Sequence, residues 1–431
     1  MRAIYASIAL IMTLVVWSAA NIMWSGDHHV GIIKADGKGY YAHLPAVFIY
    51  DDLNFGFYDS LEAGKYFNPN FIYDYRKQYN GKTLNKYYCG TAIPMMPFFL
   101  GAHVYAKNSD YPADGYSKPY NVSISIAAIV FLLLSLLILV KILEFFGIQK
   151  GVIALVLPVL VFGTNWYYYV VSEPAVSHVY SVFFISWFVW LVLKWSKTGK
   201  LSMILTGLLV GLIVLIRPAN GIILACIPFL FPNLRSFWKA FVELFKKPSL
   251  ITGVLLALAV VALQLVVYKI QTDHYLIYSY EEEGFNFASP EIFNILFSYK
   301  KGLFIYTPIT LIALLGIWPW ARVNVWQALG SLVFFGLLTY ILSSWWNWYY
   351  GGSFSSRVYL DYMFVFAIPL AFLLNAIKVK WLKRTTISVL LVLVLFCQFQ
   401  TYQYRRMIIH WDSMDKDTYW EVFLDVKGLM K

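Results

Sequence analysis

Apolar runs separated by short polar stretches set the rhythm of this chain. Stretches 121–140 and 251–268 carry no charge. Each approaches the roughly 20 residues a helix needs to cross about 30 Å of hydrocarbon. Backbone groups in hydrocarbon must bond within their own segment, so such runs predict helices. The alternating ten-residue pattern of a membrane β-barrel is not present. Predicted spans are 4–24, 120–141, 152–171, 177–194, 201–217, 219–233, 250–270, 303–320, 325–344, 358–377 and 385–402, about 11 in all. Of these, 201–217 and 219–233 are the shortest. The first run exceeds the apolar region of a cleaved signal peptide and predicts a retained helix. The expected fold class is an all-α polytopic membrane protein.

Composition agrees. Hydrophobic residues make up 60% of the 431 and charged residues 13%, against about 25% charge in a soluble domain; mean hydropathy is +0.62. The net charge of +11 raises the question of a nucleic-acid partner, but the basic residues sit in short loops between apolar runs. These are Lys141 with Lys150, Lys194–Lys197–Lys200, Arg235–Lys239–Lys246–Lys247, Arg322, and Lys378–Lys380–Lys383–Arg384. That is the placement of the positive-inside rule, so no nucleic acid is expected. They alternate with loops poor in basic residues, around Glu173, around Arg217, at 271–302 and at 345–357. A cytoplasmic N-terminus and an outer tail, 403–431, follow. The scheme needs an odd number of crossings between Ser25 and Lys141. Run 121–140 supplies one. The short segment 89–106, interrupted by Pro94 and Pro97, is therefore assigned to a long first outer loop, 25–119, with interfacial segments; a double crossing as a hairpin is the alternative. Residues 235–247 read as an amphipathic helix on the cytoplasmic leaflet. Cys89, Cys226 and Cys397 lie far apart with no metal-type spacing, and the last two are expected as small core residues.

The outer face gathers the residues that bear chemistry. Asp36 stands in Asp36–Gly37–Lys38–Gly39–Tyr40–Tyr41 just after the first helix. Its glycines allow backbone to approach a substrate, although Asp before Gly also makes a plain turn. Asp51–Asp52 reads as a solvated turn. In 345–357 an aromatic belt accounts for Trp345 and Tyr349 but not for Gly351, Gly352 and Arg357 in the same short loop. Aromatic faces such as Trp348 stack on sugars, and arginine grips phosphate oxygens in pairs. Glu173 and His178 sit at a membrane border, where ionisable groups are costly unless they serve a purpose; satisfied surface residues are the plainer reading. Lys300 and Lys301 are either snorkelling anchors or a phosphate clamp. Arg217 departs from the charge rule and meets either headgroups or substrate. Glu281–Glu282–Glu283 reads as a solvated face. Walker, His–Glu-x-x-His and dinucleotide patterns are absent. Asp27–His28–His29 is a weak metal signal. No cofactor is expected, a divalent metal being the lesser alternative.

Four of these features together resemble the GT-C superfamily of membrane glycosyltransferases. They are Asp36 in a long first outer loop; Ser172–Glu173 with His178; Lys301–Gly302–Leu303–Phe304 before Tyr306–Thr307–Pro308; and Trp348–Tyr349–Tyr350–Gly351–Gly352 ending in Ser356–Arg357. The last is the most specific, similar to an aromatic–Gly–Gly–x–x–x–x–Arg pattern in such enzymes. In plan the chain is similar to bacterial protein O-mannosyltransferase and aminoarabinose lipid A transferase relatives. Its first-loop acid is a single Asp before Gly, where mannosyltransferases carry an Asp–Glu pair, which leaves sugar and acceptor open. The resemblance implies a GT-C-like bundle in the plasma (inner) membrane and a polyprenyl-phosphate-linked sugar donor. The acceptor hydroxyl would belong to a lipid, glycan or protein, and transfer on the outer face would invert the anomeric carbon. It implies Asp36 as general base and Arg357, with Lys301 or Arg217, on the donor phosphate. Tyr40, Trp348, Tyr350, Glu173 and His178 would contact substrate. Two other classes fit the composition. A transporter or flippase of a lipid-linked sugar is disfavoured by the few charges expected mid-span. A polysaccharide polymerase or ligase is disfavoured because the large polar loop comes first.

Overall fold

The computed structural model describes residues 1–69 and 72–426. Residues 70 and 71 of the first loop and 427–431 of the tail lie outside the described residues. Helices dominate: α1 (Arg2–Ala19), α2 (Asp36–Pro45), α3 (Ala92–Lys107), α4 (Lys118–Phe145), α5 (Lys150–Gly163), α6 (Trp166–Ser172), α7 (Ser177–Thr198), α8 (Met203–Ile216), α9 (Leu234–Phe245), α10 (Ser249–Thr272), α11 (Val325–Ser343), α12 (Phe364–Ala376) and α13 (Lys380–Arg405), with shorter turns between. Among the described residues two strands, β1 (Arg76–Tyr79) and β2 (Lys82–Asn85), pair antiparallel.

Among the described residues six helices are long and apolar enough to cross a membrane: α1 with the π turn that follows it, α4, α7, α10, α11 and α13. The count reaches eight if each of two bent pairs is one span. One pair is α5–α6, bent by 61°; the other is 218–230 with α9, bent by 116°. The expectation was about 11. The remaining runs break up for local reasons. Run 303–320 becomes three short helices, Leu303–Tyr306, Ile309–Leu314 and Ile317–Ala321. Pro308 lacks the N–H that would carry the first helix onward, and Gly316 sits against the backbone of Pro369. Run 358–377 opens as a 3-10 turn, Arg357–Tyr362, before α12.

The layers differ in what they meet. Most of α4 and α7 is buried, 67% and 78% of their apolar windows, whereas α10 and α13 bury only 11%. The first two form the centre; the others present leucine and valine outward. Helix α10 is nonetheless held tightly to α8. A Cβ at Gly207 would stand 2.1 Å from the Gly253 carbonyl oxygen, so the two backbones touch as small residues permit within membranes.

The first loop is more structured than its polar composition suggests. Asn80 and Gly81 both take positive φ, 49° and 77°, the two-residue hairpin turn that Asn-Gly favours. The hairpin and Lys86 reach across to segment 273–283: Lys77 pairs with Glu281 at 3.0 Å, Lys86 with Glu283 at 2.6 Å, and Lys82 with Asp273. Glu281 and Glu282 are exposed, as a solvated face requires, and Glu283 is half-buried; two of the three carboxylates meet lysines there. Helix α3 has 16 residues with Pro97 inside it, short of a span, and packs along α2 and α4. Asp52 accepts from the N–H groups of Asn54 and Gly56, a turn as expected, and Cys226 and Cys397 are buried.

Candidate active site

Helix α2 begins at Asp36 because its neighbours allow a tight entry. Ala35 turns the chain with φ 44°, a conformation uncommon outside glycine. A Cβ on Gly37 would stand 2.7 Å from the Ala175 Cβ, and one on Gly39 would stand 2.2 Å from the Tyr87 ring. The missing side chains let α2 seat between the 173–176 loop and Tyr87. Asn85 clamps it there by donating to the Gly39 carbonyl at 2.8 Å.

The Asp36 carboxylate then receives two donors. The Tyr87 hydroxyl donates a hydrogen bond to Oδ1 at 2.7 Å, and Arg357 Nη2 meets Oδ2 at 2.5 Å. Tyr73 hydrogen-bonds the Tyr87 hydroxyl in turn. Burial pushes the Asp36 carboxyl up, but the Arg357 charge and the Tyr87 and Arg357 hydrogen bonds outweigh it and hold it below the usual carboxylate range. The helix N-terminus favours the same charge. On Arg357, burial works against the charge and Asp36 restores it, so the net direction is upward. Arg357 Nε is buried with no hydrogen-bond partner among the described residues.

This pair lies on the wall of a cavity of about 960 Å³, near the upper end for ligand sites. Seven of the nine residues expected at the site line it: Asp36, Tyr40, Glu173, His178, Arg217, Tyr350 and Arg357. Tyr40 packs its ring 4.8 Å from that of Tyr87. Glu173 accepts from the Tyr168 hydroxyl at 2.8 Å and faces Lys34 at 3.5 Å. Tyr350 donates to the Leu342 carbonyl and turns its ring toward Arg217.

Two expectations are corrected. Lys301 does not line the cavity; it is 1% exposed, and its ammonium sits 5.0 Å from the Tyr404 ring. Burial pushes this amine down to about 7, against the pull of Asp412 and Glu173. Trp348 is also off the wall. It packs edge-on against Tyr349, whose ring lies 3.6 Å from the Lys300 ammonium, and Lys300 itself faces Asp412 at 3.3 Å. Asp27 and His28 reach the cavity, but no metal-binding group of three forms among the described residues.

Sequence reasoning missed Asp361, and with it the argument that few charges lie mid-span. Asp361 falls inside predicted span 358–377 and is 0% exposed. His178 Nδ1 lies 2.7 Å from its Oδ1, and Arg217 Nη1 lies 3.4 Å from Oδ2 and 2.9 Å from His178 Nδ1. An ionisable residue within an apolar run is itself a signal of function. Tyr73 and Tyr87 lay in the polar first loop without a pattern to mark them. The tail supplies Arg405, Met407 and Trp411 to the wall, for which no sequence signal was read. Comparison with protein-family models and with curated proteins gives no match.

Proposed function

We propose that this chain is an inverting, GT-C-type glycosyltransferase. It moves a sugar from a polyprenyl-phosphate donor to a hydroxyl acceptor on the outer face of the plasma membrane. The observation that carries the reading is the Asp36–Arg357 pair on the cavity wall. An ionised carboxylate beside a guanidinium supplies both halves of the reaction. Asp36 accepts the proton of the acceptor hydroxyl. That oxygen forms a bond to the anomeric carbon from the face opposite the phosphate, whose C–O bond breaks. The electron pair leaves on the polyprenyl phosphate, and positive charge nearby offsets it. Arg357 Nε and the buried Ser172 hydroxyl, both without a hydrogen-bond partner among the described residues and on the same wall, offer hydrogen bonds to a phosphate or a sugar. The outward apolar faces of α10 and α13 suit a lipid tail.

The test is transfer from radiolabelled polyprenyl-phosphate sugars in membranes containing the protein. Asp36→Asn is expected to abolish transfer while donor binding stays; near-normal turnover in that variant refutes the assignment. The orientation belongs to the proposal, and reporter fusions after Lys200 or Lys247 should read as cytoplasmic.

One observation favours a second reading. The buried Asp361–His178–Arg217 group is the kind of membrane-embedded charge cluster that transporters carry. A flippase would move lipid-linked sugar across vesicles without breaking the phosphate bond, and Asp36→Asn would leave that movement intact.

A further inference from the structure

Five side chains of lysine or arginine line the cavity: Lys34, Lys86, Arg217, Arg357 and Arg405. Four face a carboxylate: Lys34 faces Glu173, Lys86 faces Glu283, Arg217 faces Asp361 and Arg357 faces Asp36. Among the described residues Arg405 alone of the five forms no ion pair. It is half-buried on the cavity wall, near the Tyr167 and Tyr168 hydroxyls and, among the described residues, with no carboxylate to match its charge.

Its place on the helix matters as much as its charge. Arg405 is the last residue of α13, and α13 meets its surroundings with apolar side chains: Leu391, Val392 and Leu395 are 57%, 62% and 61% exposed. Ten residues separate Leu395 from Arg405, about 15 Å along a helix. Arg405 stands about a quarter-turn round the helix from these three, so an apolar chain lying along α13 ends within reach of an arginine on the cavity wall. Met407 and Trp411, just beyond, line the cavity too, with Gly352 held against the Trp411 ring.

We propose that Arg405 receives the phosphate group of a lipid-linked substrate whose isoprenoid tail lies along the outward face of α13. This rests on the glycosyltransferase reading and moves the main phosphate contact away from Lys301, which is off the wall, and Arg217, which is matched by Asp361. Guanidinium and phosphate form paired charged hydrogen bonds. Inorganic phosphate and ordinary phospholipid headgroups share that chemistry, and only the tail tells them apart.

The test uses the full chain in phosphatidylcholine nanodiscs, with a polyprenyl monophosphate and the neutral polyprenol of equal length as probes. The wild type is expected to bind the phosphate at least about tenfold more tightly than the alcohol. Arg405→Gln should lose about tenfold, the worth of a charged hydrogen bond. Arg405→Lys should fall between, and Arg406→Gln, an exposed neighbour off the wall, should match wild type. Should Arg405→Gln unfold, Arg405→Met and Arg405→Lys carry the comparison. Neither millimolar inorganic phosphate nor phosphatidylglycerol should displace the probe. Wild-type affinity in Arg405→Gln overturns the assignment of Arg405 and leaves the glycosyltransferase reading standing. No preference for phosphate over alcohol in the wild type overturns both. Displacement by inorganic phosphate or by phosphatidylglycerol overturns the lipid-linked assignment.

Discussion

Arg357 Nη2 lies 2.5 Å from Asp36 Oδ2, closing a gap of 321 residues in the chain. The carboxylate comes from the start of α2 and the guanidinium from the turn before α12, so one contact pins the first loop to the far end of the bundle. Arg357→Gln is expected to destabilise the protein by less than the roughly 3–5 kcal/mol of a fully buried broken pair, because the Asp36 side chain keeps 23% of its surface exposed. Thermal unfolding in detergent should show the loss, and Asp36→Asn in the same chain should recover part of it.

The same pair sets a pH dependence. The folded Asp36 carboxyl lies below its usual range, so its contribution to stability is present above the unfolded value of about 3.9. That contribution is lost as pH falls through the lower folded value. Unfolding midpoints between pH 5 and 3 should drop more steeply for wild type than for Asp36→Asn.

Lys301 slopes the same way, stability rising with pH, but in a higher window and because its buried charge is a cost. Its folded amine titrates near 7, against about 10.4 unfolded. Below 7 the buried charge costs stability in full; from 7 to about 10.4 the unfolded chain holds more protons, and stability rises with pH. Lys301→Met is expected to flatten that rise and to raise the unfolding midpoint at pH 7. A midpoint below wild type at pH 7 would count against the burial argument.

Gly39→Ala tests how Asp36 is aimed. A methyl there meets the Tyr87 ring, and overpacking of this kind costs about 1–3 kcal/mol. The expected result is a chain that still folds, with Tyr87 displaced and transfer reduced at least about tenfold, the cost of one lost hydrogen bond to a charge. Wild-type transfer would show that Tyr87 does not help aim Asp36.

Asp361→Asn should be among the more destabilising single changes, by about 3–5 kcal/mol, since Arg217 then loses its counter-charge and a neutral amide replaces the carboxylate that it shares with His178. Thermal unfolding checks it, with Ser353→Ala, another fully buried position, as the comparison.

These residues show how far sequence carries. Asp36 and Arg357 were legible because each stood out from its local pattern: an acid between a helix and two glycines, and a basic residue in an aromatic loop. Asp361 was hidden because averaging over an apolar run dilutes one charge. Span 303–320 read as one helix because hydropathy does not register the missing N–H of Pro308. The β-hairpin was readable from Asn80–Gly81, but the surrounding polar stretch masked it. Lys301 and Trp348 sat in the right loops, yet which way a side chain faces depends on packing partners more than a hundred residues away, such as Tyr404 for Lys301.

The lysines at 77, 82 and 86 each pair with an acid on segment 273–283, so in every ion pair of this seam the positive partner is on one piece and the negative partner on the other. Tyr73, Lys86 and Tyr87 reach the cavity from the lysine side, Tyr280 and Glu283 from the acid side. Mobile ions compete for both. Raising ionic strength from about 0.01 to 1 M cuts the reach of these charges from about 30 to 3 Å. The clasp over this rim of the cavity is thus tied to the salt content of the surrounding water, a setting that the hydrocarbon-facing helices do not sense.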